Sequence, residues 1–189
     1  MKTALAGAAA ALLAAALPAT AADYALDPTH SFATLEAPRF GLATWRGRLR
    51  LTEGTLQLDR DAQTAGAEIT IALTSLSSGA ATVDQALAGP AGLDAAAFPT
   101  AVFKAERVVF SGRNPSEVVG SLTLRGRAAP LTLKATRFNC YFNPLFLREI
   151  CGGDFEARLR PADWGQDGAA ALGLPDEWRL VVQLEAIKQ

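Results

Sequence analysis

Histidine, cysteine and methionine are scarce in this chain, whose 189 residues contain one His, two Cys and one Met. A Ser-His-Asp arrangement would have to use His30 as its base. Its neighbour Ser31 would point to the opposite face of an extended segment, and the GxSxG elbow of many hydrolases does not occur. The sequence therefore predicts no enzyme. The residues around His30, Asp27 to Ser31, have the composition of a turn that leads into a strand.

Metal, phosphate and nucleic-acid signatures are missing as well. The chain has no HExxH motif, no EF-hand loop, no spaced Cys/His cluster and no phosphate-binding glycine loop. Its 18 Lys and Arg nearly balance 19 Asp and Glu, whereas nucleic-acid binding normally needs a clustered basic excess. We expect no metal, no catalytic cofactor and no nucleic-acid partner.

The only long apolar run lies at the N-terminus. Lys2 precedes an Ala- and Leu-rich stretch over residues 4–17, and Ala19 and Ala21 are small residues suited to a cleavage site. The run is shorter than the ~20 residues that a spanning helix needs. We therefore predict a cleaved signal peptide over residues 1–21, one mature domain over residues 22–189, and no later transmembrane segment.

Export from the cytosol would determine the oxidation state of the two cysteines. In an oxidising compartment, Cys140 and Cys151 are expected to form a disulfide. A redox-active pair normally has CxxC spacing, and a metal site needs more ligands than two thiols. The segment between the cysteines is rich in large apolar residues, and we interpret it as a long loop with an apolar face.

Alternation of apolar and polar residues dominates the mature chain and predicts at least eight antiparallel strands. Residues 48–51 and 55–58 are interpreted as a hairpin that turns at Gly54. Two short Ala-rich stretches, 82–87 and 93–97, suggest brief helical turns that cap an opening, and residues 162–175 suggest an irregular rim.

An open sheet of so many strands would leave unpaired backbone N–H and C=O groups along its two edge strands, and closure into a barrel removes these edges altogether. We therefore predict an all-β fold: a single antiparallel lipocalin-like barrel of about eight strands with one or two short helical segments. An open sandwich is the alternative. A barrel of this size either packs its interior or holds one small ligand.

Several segments occur in an order that resembles the YceI-like family, the lipid- or polyisoprenoid-binding proteins of bacterial periplasms. They are residues 24–31, Gly47, residues 93–104, residues 120–126, and residues 155–165 with their Arg, Asp, Trp and Gly. The resemblance covers nearly all of the mature chain. It implies a periplasmic barrel whose apolar bore holds a polyisoprenoid, an isoprenoid quinone or a fatty amphiphile.

The candidate ligand-binding residues combine this resemblance with the distribution of large apolar side chains. They are His30, Phe32, Arg39, Phe40, Leu42, Trp45, Phe98, Phe103, Phe142 and Phe146. Arg39 departs from the family, many members of which have a second His in the same place. If Arg39 contacts a head group, a fixed cation there favours a more anionic or carbonyl-bearing ligand.

Two other functions stay open at this point. One is an enzyme that acts on a small lipophile with His30 as its general base. The other is a filled barrel that acts through its surface, as an inhibitor or partner of an envelope protein. The sequence leaves the oligomeric state open, a homodimer included.

Overall fold

The computed structural model describes residues 21–166 and 168–189. The predicted signal peptide therefore lies outside the described residues, except for Ala21. Within these two ranges there are nine strands: β1 Ala22–Leu26, β2 Phe32–Arg39, β3 Ala43–Asp59, β4 Thr64–Ser77, β5 Thr100–Ser111, β6 Asn114–Leu124, β7 Arg127–Asn143, β8 Arg148–Leu159 and β9 Trp178–Lys188. One helix, α1 Ala81–Ala88, follows β4, and two 3-10 helices, Pro161–Trp164 and Ala170–Leu172, lie between β8 and β9.

The strands form one closed antiparallel barrel, so the predicted architecture is confirmed and the sandwich is wrong. Neighbours run in the order β3, β2, β9, β8, β7, β6, β5, β4, and pairing between β3 and β4 closes the ring. Strand β1 pairs with the same two neighbours as β2, namely β3 and β9. β1 and β2 thus occupy one position in the wall, which gives eight positions for nine strands.

The hairpin predicted at Gly54 is wrong, because β3 continues through it as one strand of 17 residues. A register shift between Leu51 and Glu53 changes which residues face inward, so Leu51 and Leu58 are both buried although their numbers differ in parity. Gly54 lies in a closely packed part of the strand and not in a turn. A Cβ at this position would lie 2.5 Å from Cδ1 of Ile69.

One end of the barrel is capped. Helix α1 buries Val83 and Leu87, and the following segment buries Leu93 in the same core. Of the two helical stretches that the sequence suggested, only the first is a helix, since residues 93–97 form turns. Arg125 joins the cap to the first 3-10 helix, because its Nη1 donates to the carbonyl oxygens of Gly92 and Gly165 at 3.0 and 3.1 Å.

The other end of the barrel carries the hairpin turns that follow β3, β5 and β7. The β7–β8 connection is short: the strands pair as far as Asn143 and Arg148, which leaves residues 144–147 as the turn. The long loop predicted between the cysteines is therefore wrong. Strong β-forming residues extend both strands past the disulfide, and the segment is the end of a hairpin.

Candidate functional site

An apolar cavity, the main cavity, occupies the barrel interior towards the end with the hairpin turns. Its volume is about 100 Å³, which is smaller than the ~300–1,000 Å³ typical of small-molecule sites. Its walls come from eight strands, all except β2, and are almost entirely aliphatic or aromatic. Lining residues include Leu51, Ile69, Phe103, Val118, Leu131, Leu133, Phe138, Phe155, Leu180, Val182 and Leu184.

A second cavity of about 50 Å³ lies towards the capped end, between Leu35, Leu93, Trp164 and Trp178. Both cavities share three lining residues, which are Ile71, Leu122 and Leu180. The two spaces therefore adjoin, and together they form an apolar bore along the barrel. Such a shape suits an elongated ligand better than a compact one.

The main cavity reaches a break in the barrel wall. Pairing between β4 and β5 runs only from Ala72 opposite Thr100 to Glu68 opposite Lys104. Beyond this point, residues 64–67 of β4 pair with β3 alone, and residues 107–111 of β5 pair with β6 alone. Cavity-lining residues stand on both sides of the break: Ala65, Gly66 and Ala67 on β4, and Val108 on β5. We call this break, between residues 64–67 and 107–111, the lateral opening.

The outer limit of the lateral opening is closed by contacts between two turns. Arg60, which follows β3, donates from Nη2 to Oδ1 of Asn114 at 2.6 Å and from Nε to the carbonyl of Arg113 at 3.1 Å. Gln63 donates from Nε2 to the carbonyl of Gly112 at 2.7 Å. These three hydrogen bonds, which we call the turn bridge, join strands that are not paired beside the opening.

Polar groups at the interior are few, and most are satisfied. The Tyr24 hydroxyl donates to Oε1 of Glu149 at 2.6 Å. Burial, together with this hydrogen bond, raises the pKa of Tyr24 well above its usual range, so the phenol stays neutral. The indole Nε1 of Trp164 donates to the carbonyl of Leu122 at 2.8 Å. Gln166 is also buried, and its Nε2 has no hydrogen-bond partner among the described residues.

Of the ten candidate residues from the sequence, Phe103 lines the main cavity. The residues that line the two cavities in the described part of the chain do not include the other nine. Those nine are His30, Phe32, Arg39, Phe40, Leu42, Trp45, Phe98, Phe142 and Phe146. A ligand-binding role for them stays a prediction.

His30 lies on the outside of the barrel, in the turn between β1 and β2. Its Nδ1 is 2.8 Å from Oδ2 of Asp27, and the other carboxylate oxygen accepts from the backbone N–H of Thr29 at 2.9 Å. The turn expected from the sequence is confirmed. The hydrogen bond to Asp27 raises the pKa of His30. Burial opposes ionisation of Asp27, but its hydrogen bonds with His30 and Thr29 lower the pKa of that carboxyl overall.

Asp27, His30 and Glu185 also place their ligand atoms within 4.8 Å of one another. The ion pair of His30 with Asp27 and the partial burial of Asp27 account for the cluster without a metal. Because the cluster faces solvent, it is separate from the bore.

Arg39, Phe40 and Leu42 lie at the capped end, in and beside the turn between β2 and β3. Arg39 donates from Nε to the carbonyl of Leu172 at 3.2 Å, and the backbone N–H of Phe40 donates to the carbonyl of Gly173 at 2.7 Å. These contacts attach the second 3-10 helix to the barrel. Arg39 is exposed, so its cation is available outside the two cavities.

Trp45 and Phe32 line neither cavity and pack against other side chains of the barrel wall. The Trp45 ring packs on Trp178 with 5.8 Å between centroids. Phe32 carries the guanidinium of Arg48 over its ring, 3.5 Å from the centroid. Both contacts stabilise the barrel wall.

The predicted disulfide is confirmed: Cys140 and Cys151 are bonded and directly opposite each other on β7 and β8. Cys151 lines the main cavity. Phe142 and Phe146 lie beyond the disulfide and are 63% and 58% exposed. The disulfide thus joins the wall of the bore to an exposed hairpin end.

The candidate residues were mainly large side chains, whereas most residues that line the main cavity are aliphatic, as Leu133, Val118 and Leu184 illustrate. Their signal was present in the sequence as alternation. Every second residue of β9 from Trp178 to Ala186 is buried, as are Leu131 and Leu133 of β7, so the position within the strand predicts the inward face where residue size does not.

The family model for the YceI-like domain matches residues 24–186. The chain belongs to the YceI-like family. A UPF0312 protein of Pseudomonas putida is 30% identical over 175 residues, which cover 90% of this chain and 89% of that relative. The curated relatives include further UPF0312 proteins, among them one from Vibrio parahaemolyticus that is 30% identical over 128 residues, or 65% of this chain and 68% of its own length.

Solved structures share the fold of this YceI-like chain. BcnA of Burkholderia cenocepacia superposes with a TM-score of 0.68 at 18% identity, covering 85% of this chain and 98% of BcnA. A polyisoprenoid-binding domain from Saccharophagus degradans superposes with a TM-score of 0.57 at 14% identity, covering 88% of this chain and 98% of that domain. Within the described residues, no helix is both long and apolar enough to cross a membrane.

Proposed function

We propose that this YceI-like protein binds a long-chain apolar ligand inside its barrel and carries or sequesters it in the periplasm. The ligand class is a polyisoprenoid, an isoprenoid quinone or a fatty amphiphile. One observation carries the proposal: the two adjoining cavities form an apolar bore lined mainly by inward-facing strand residues and closed at one end by Leu93 and Trp164.

A chain of methylenes supplies enough free energy without polar anchors. Each CH₂ transferred from water to an apolar site contributes about 0.8 kcal/mol, and ordering of the chain offsets part of that gain. The neutral Tyr24 phenol and the single unpartnered amide of Gln166 leave the bore free of ionised groups in its described part. A charged head group is therefore expected to stay at the lateral opening.

The fold that this chain shares with a solved structure also supports binding of an apolar ligand. The Saccharophagus degradans domain that shares the fold is described as polyisoprenoid-binding, and the apolar bore of this chain is the feature most suited to such a ligand. The apolar N-terminal segment and the paired cysteines support location in an oxidising compartment outside the cytosol. His30 faces away from the bore, so binding is better supported than turnover.

A series of ligands that differ only in chain length tests the proposal. The delipidated protein is titrated with saturated fatty alcohols of increasing length, and binding is followed by isothermal calorimetry. The affinity should rise about three- to fourfold per added CH₂ until the bore is full, and then level off. An affinity that does not depend on chain length would contradict the proposal. Organic extraction of the protein purified from the periplasm should also yield a long-chain species in stoichiometric amount.

A further inference from the structure

The β7–β8 hairpin ends in a group of exposed apolar side chains. Its five members, which we call the apolar tip, are Tyr141 at 50% exposure, Phe142 at 63%, Leu145 at 89%, Phe146 at 58% and Leu147 at 74%. Exposed large apolar residues scattered singly need no explanation, but five on one hairpin do. The remaining exposed large apolar residues of the described chain, Phe40 and Leu42, lie at the opposite, capped end.

The apolar tip is held in shape by contacts at its base. The disulfide links Cys140 and Cys151 across the two strands immediately before the tip. Within the turn, Oδ1 of Asn143 accepts from the backbone N–H of Leu145 at 2.9 Å, and its Nδ2 donates to the Tyr141 hydroxyl at 3.1 Å. A preformed tip loses little conformational entropy when it enters another phase.

Three cations lie on the side of the apolar tip that faces the barrel. Arg148 is exposed, and its Nη1 donates to the carbonyl of Lys188 at 3.3 Å. The Lys188 ammonium lies 3.8 Å from Glu149, and Arg137, which is 80% exposed on β7, lies 3.9 Å from Asp154. Aromatic and aliphatic side chains with cations behind them match the boundary between acyl chains and anionic head groups.

The location of the apolar tip connects it with the bore. The tip lies at the barrel end that carries the β3–β4 and β5–β6 turns, where the turn bridge and the lateral opening are found. Cys151, at its base, lines the main cavity. Insertion of the tip into a bilayer would therefore bring the open end of the barrel, and not the capped end, to the lipid surface.

We infer that the apolar tip docks this protein on the surface of a phospholipid bilayer that contains anionic lipids, with Phe142, Leu145 and Phe146 inserted among the acyl chains. The tip projects beyond the paired strands and carries hydrophobic side chains on both faces of the hairpin, which fits a fluid phase better than a flat protein surface. Cations at its base attract the anionic head groups. The bound state is reversible, because one short hairpin buries only a few side chains.

The test is cosedimentation of the mature protein with vesicles of phosphatidylcholine and phosphatidylglycerol, compared with vesicles of phosphatidylcholine alone. The wild type should bind the mixed vesicles, and binding should weaken as salt is raised from roughly 0.05 to 0.5 M. The triple variant Phe142→Ser, Leu145→Ser, Phe146→Ser should bind them at least about tenfold more weakly.

A matched pair of single variants distinguishes docking through the apolar tip from nonspecific adsorption of the protein to vesicles. Leu145→Ser at the tip and Leu42→Ser at the capped end replace leucines that are 89% and 88% exposed. The first should weaken vesicle binding about threefold, and the second should leave it unchanged. Equal effects of the two, or a triple variant that binds like the wild type, would overturn the inference. So would a wild type that forms a dimer through the tip, detected by analytical ultracentrifugation as a dimer that the triple variant loses.

Ligand binding in solution gives an independent readout. All tip variants should retain the affinity of the wild type for a fatty alcohol, because the tip residues do not line the described bore. Failure of vesicle docking can thus be distinguished from failure of the bore to bind ligand.

Discussion

Arg60 donates a 2.6 Å hydrogen bond from Nη2 to Oδ1 of Asn114, and so joins the turn after β3 to the start of β6. Between these two points, β4 and β5 are paired only from Glu68 and Lys104 towards the capped end. Arg60 and Asn114 therefore hold together a part of the wall beside the main cavity where β4 and β5 share no backbone hydrogen bonds.

Replacing Arg60 with Ala should make the lateral opening easier to widen. Hydrogen bonds to a charged donor contribute about 1.5–3 kcal/mol each, so we expect release of a bound fatty alcohol to accelerate by roughly tenfold. Stopped-flow displacement of a fluorescent fatty probe measures this rate. Arg46→Ala is the matched control, since it removes an exposed ion pair with Glu36, 2.8 Å long, at the other end of the barrel. Equal acceleration by both variants would exclude the opening as the route.

Removal of the disulfide should affect both stability and the bore. In the chain-entropy account, a link across 11 residues contributes about 3 kcal/mol to the free energy of unfolding. Because Cys151 lines the main cavity, the double variant Cys140→Ser, Cys151→Ser should also retain ligand more weakly. Urea unfolding and ligand titration measure the two effects. Lower stability with unchanged ligand affinity would restrict the disulfide to a structural role.

Trp164 is the side chain that closes the capped end most completely, with 1% exposure. Trp164→Ala should cost about 3–5 kcal/mol in the free energy of unfolding, because it leaves a void and removes the indole hydrogen bond to the carbonyl of Leu122. Trp164→Phe keeps most of the packing and should cost about 1–2 kcal/mol. Urea titration distinguishes them, with the exposed Phe146→Ala as a control that should change stability by less than about 0.5 kcal/mol. Equal losses for Ala and Phe would show that packing is not the main contribution.

The turn between β1 and β2 should respond to pH through His30 and Asp27. The hydrogen bond between them raises the pKa of His30 above its ordinary 6.5, so the folded state binds this proton more tightly than the unfolded state. The stability it contributes is complete below the ordinary value and is lost as pH rises through the folded value. Glu185 faces the same imidazole and acts in the same direction.

An NMR titration of the His30 ring measures this pKa directly. Asp27→Asn should lower it towards 6.5, and Glu185→Gln should lower it less, in the order of their contributions. The melting temperature of the wild type, relative to that of His30→Gln, should fall between roughly pH 6 and 8. A His30 pKa that is the same in Asp27→Asn as in the wild type would show that the hydrogen bond does not hold the turn.

The barrel could be predicted because its strands bury one face and expose the other. In β9, Leu180, Val182 and Leu184 alternate with exposed or half-buried neighbours, and this pattern allows only one inward face. The pattern failed in β3, where a bulge between Leu51 and Glu53 shifts the parity within one continuous strand. A glycine beside such a shift looks like a turn in the sequence.

The bore itself was less predictable than its walls. Side-chain size favoured Phe32, which faces outward, and Phe142, which is exposed near the end of β7, over Val118 and Leu133, which line the cavity. The lateral opening arises where backbone hydrogen bonds between β4 and β5 stop, and missing backbone pairing leaves no residue signature. The exposure of the apolar tip follows from the short turn at residues 144–147, which the sequence suggested was a longer loop.

Filling the bore tests its role as the ligand site most directly. Val118 lines the main cavity from β6, whereas its neighbour Val119 does not line it and alternates to the other face. Titration of delipidated Val118→Trp and Val119→Trp with the same long-chain fatty alcohol compares the two faces of one strand. We expect the affinity of Val118→Trp to fall by at least about tenfold while Val119→Trp binds like the wild type. Equal binding by Val118→Trp and the wild type, with both variants folded, would contradict the proposal that the ligand occupies the barrel interior.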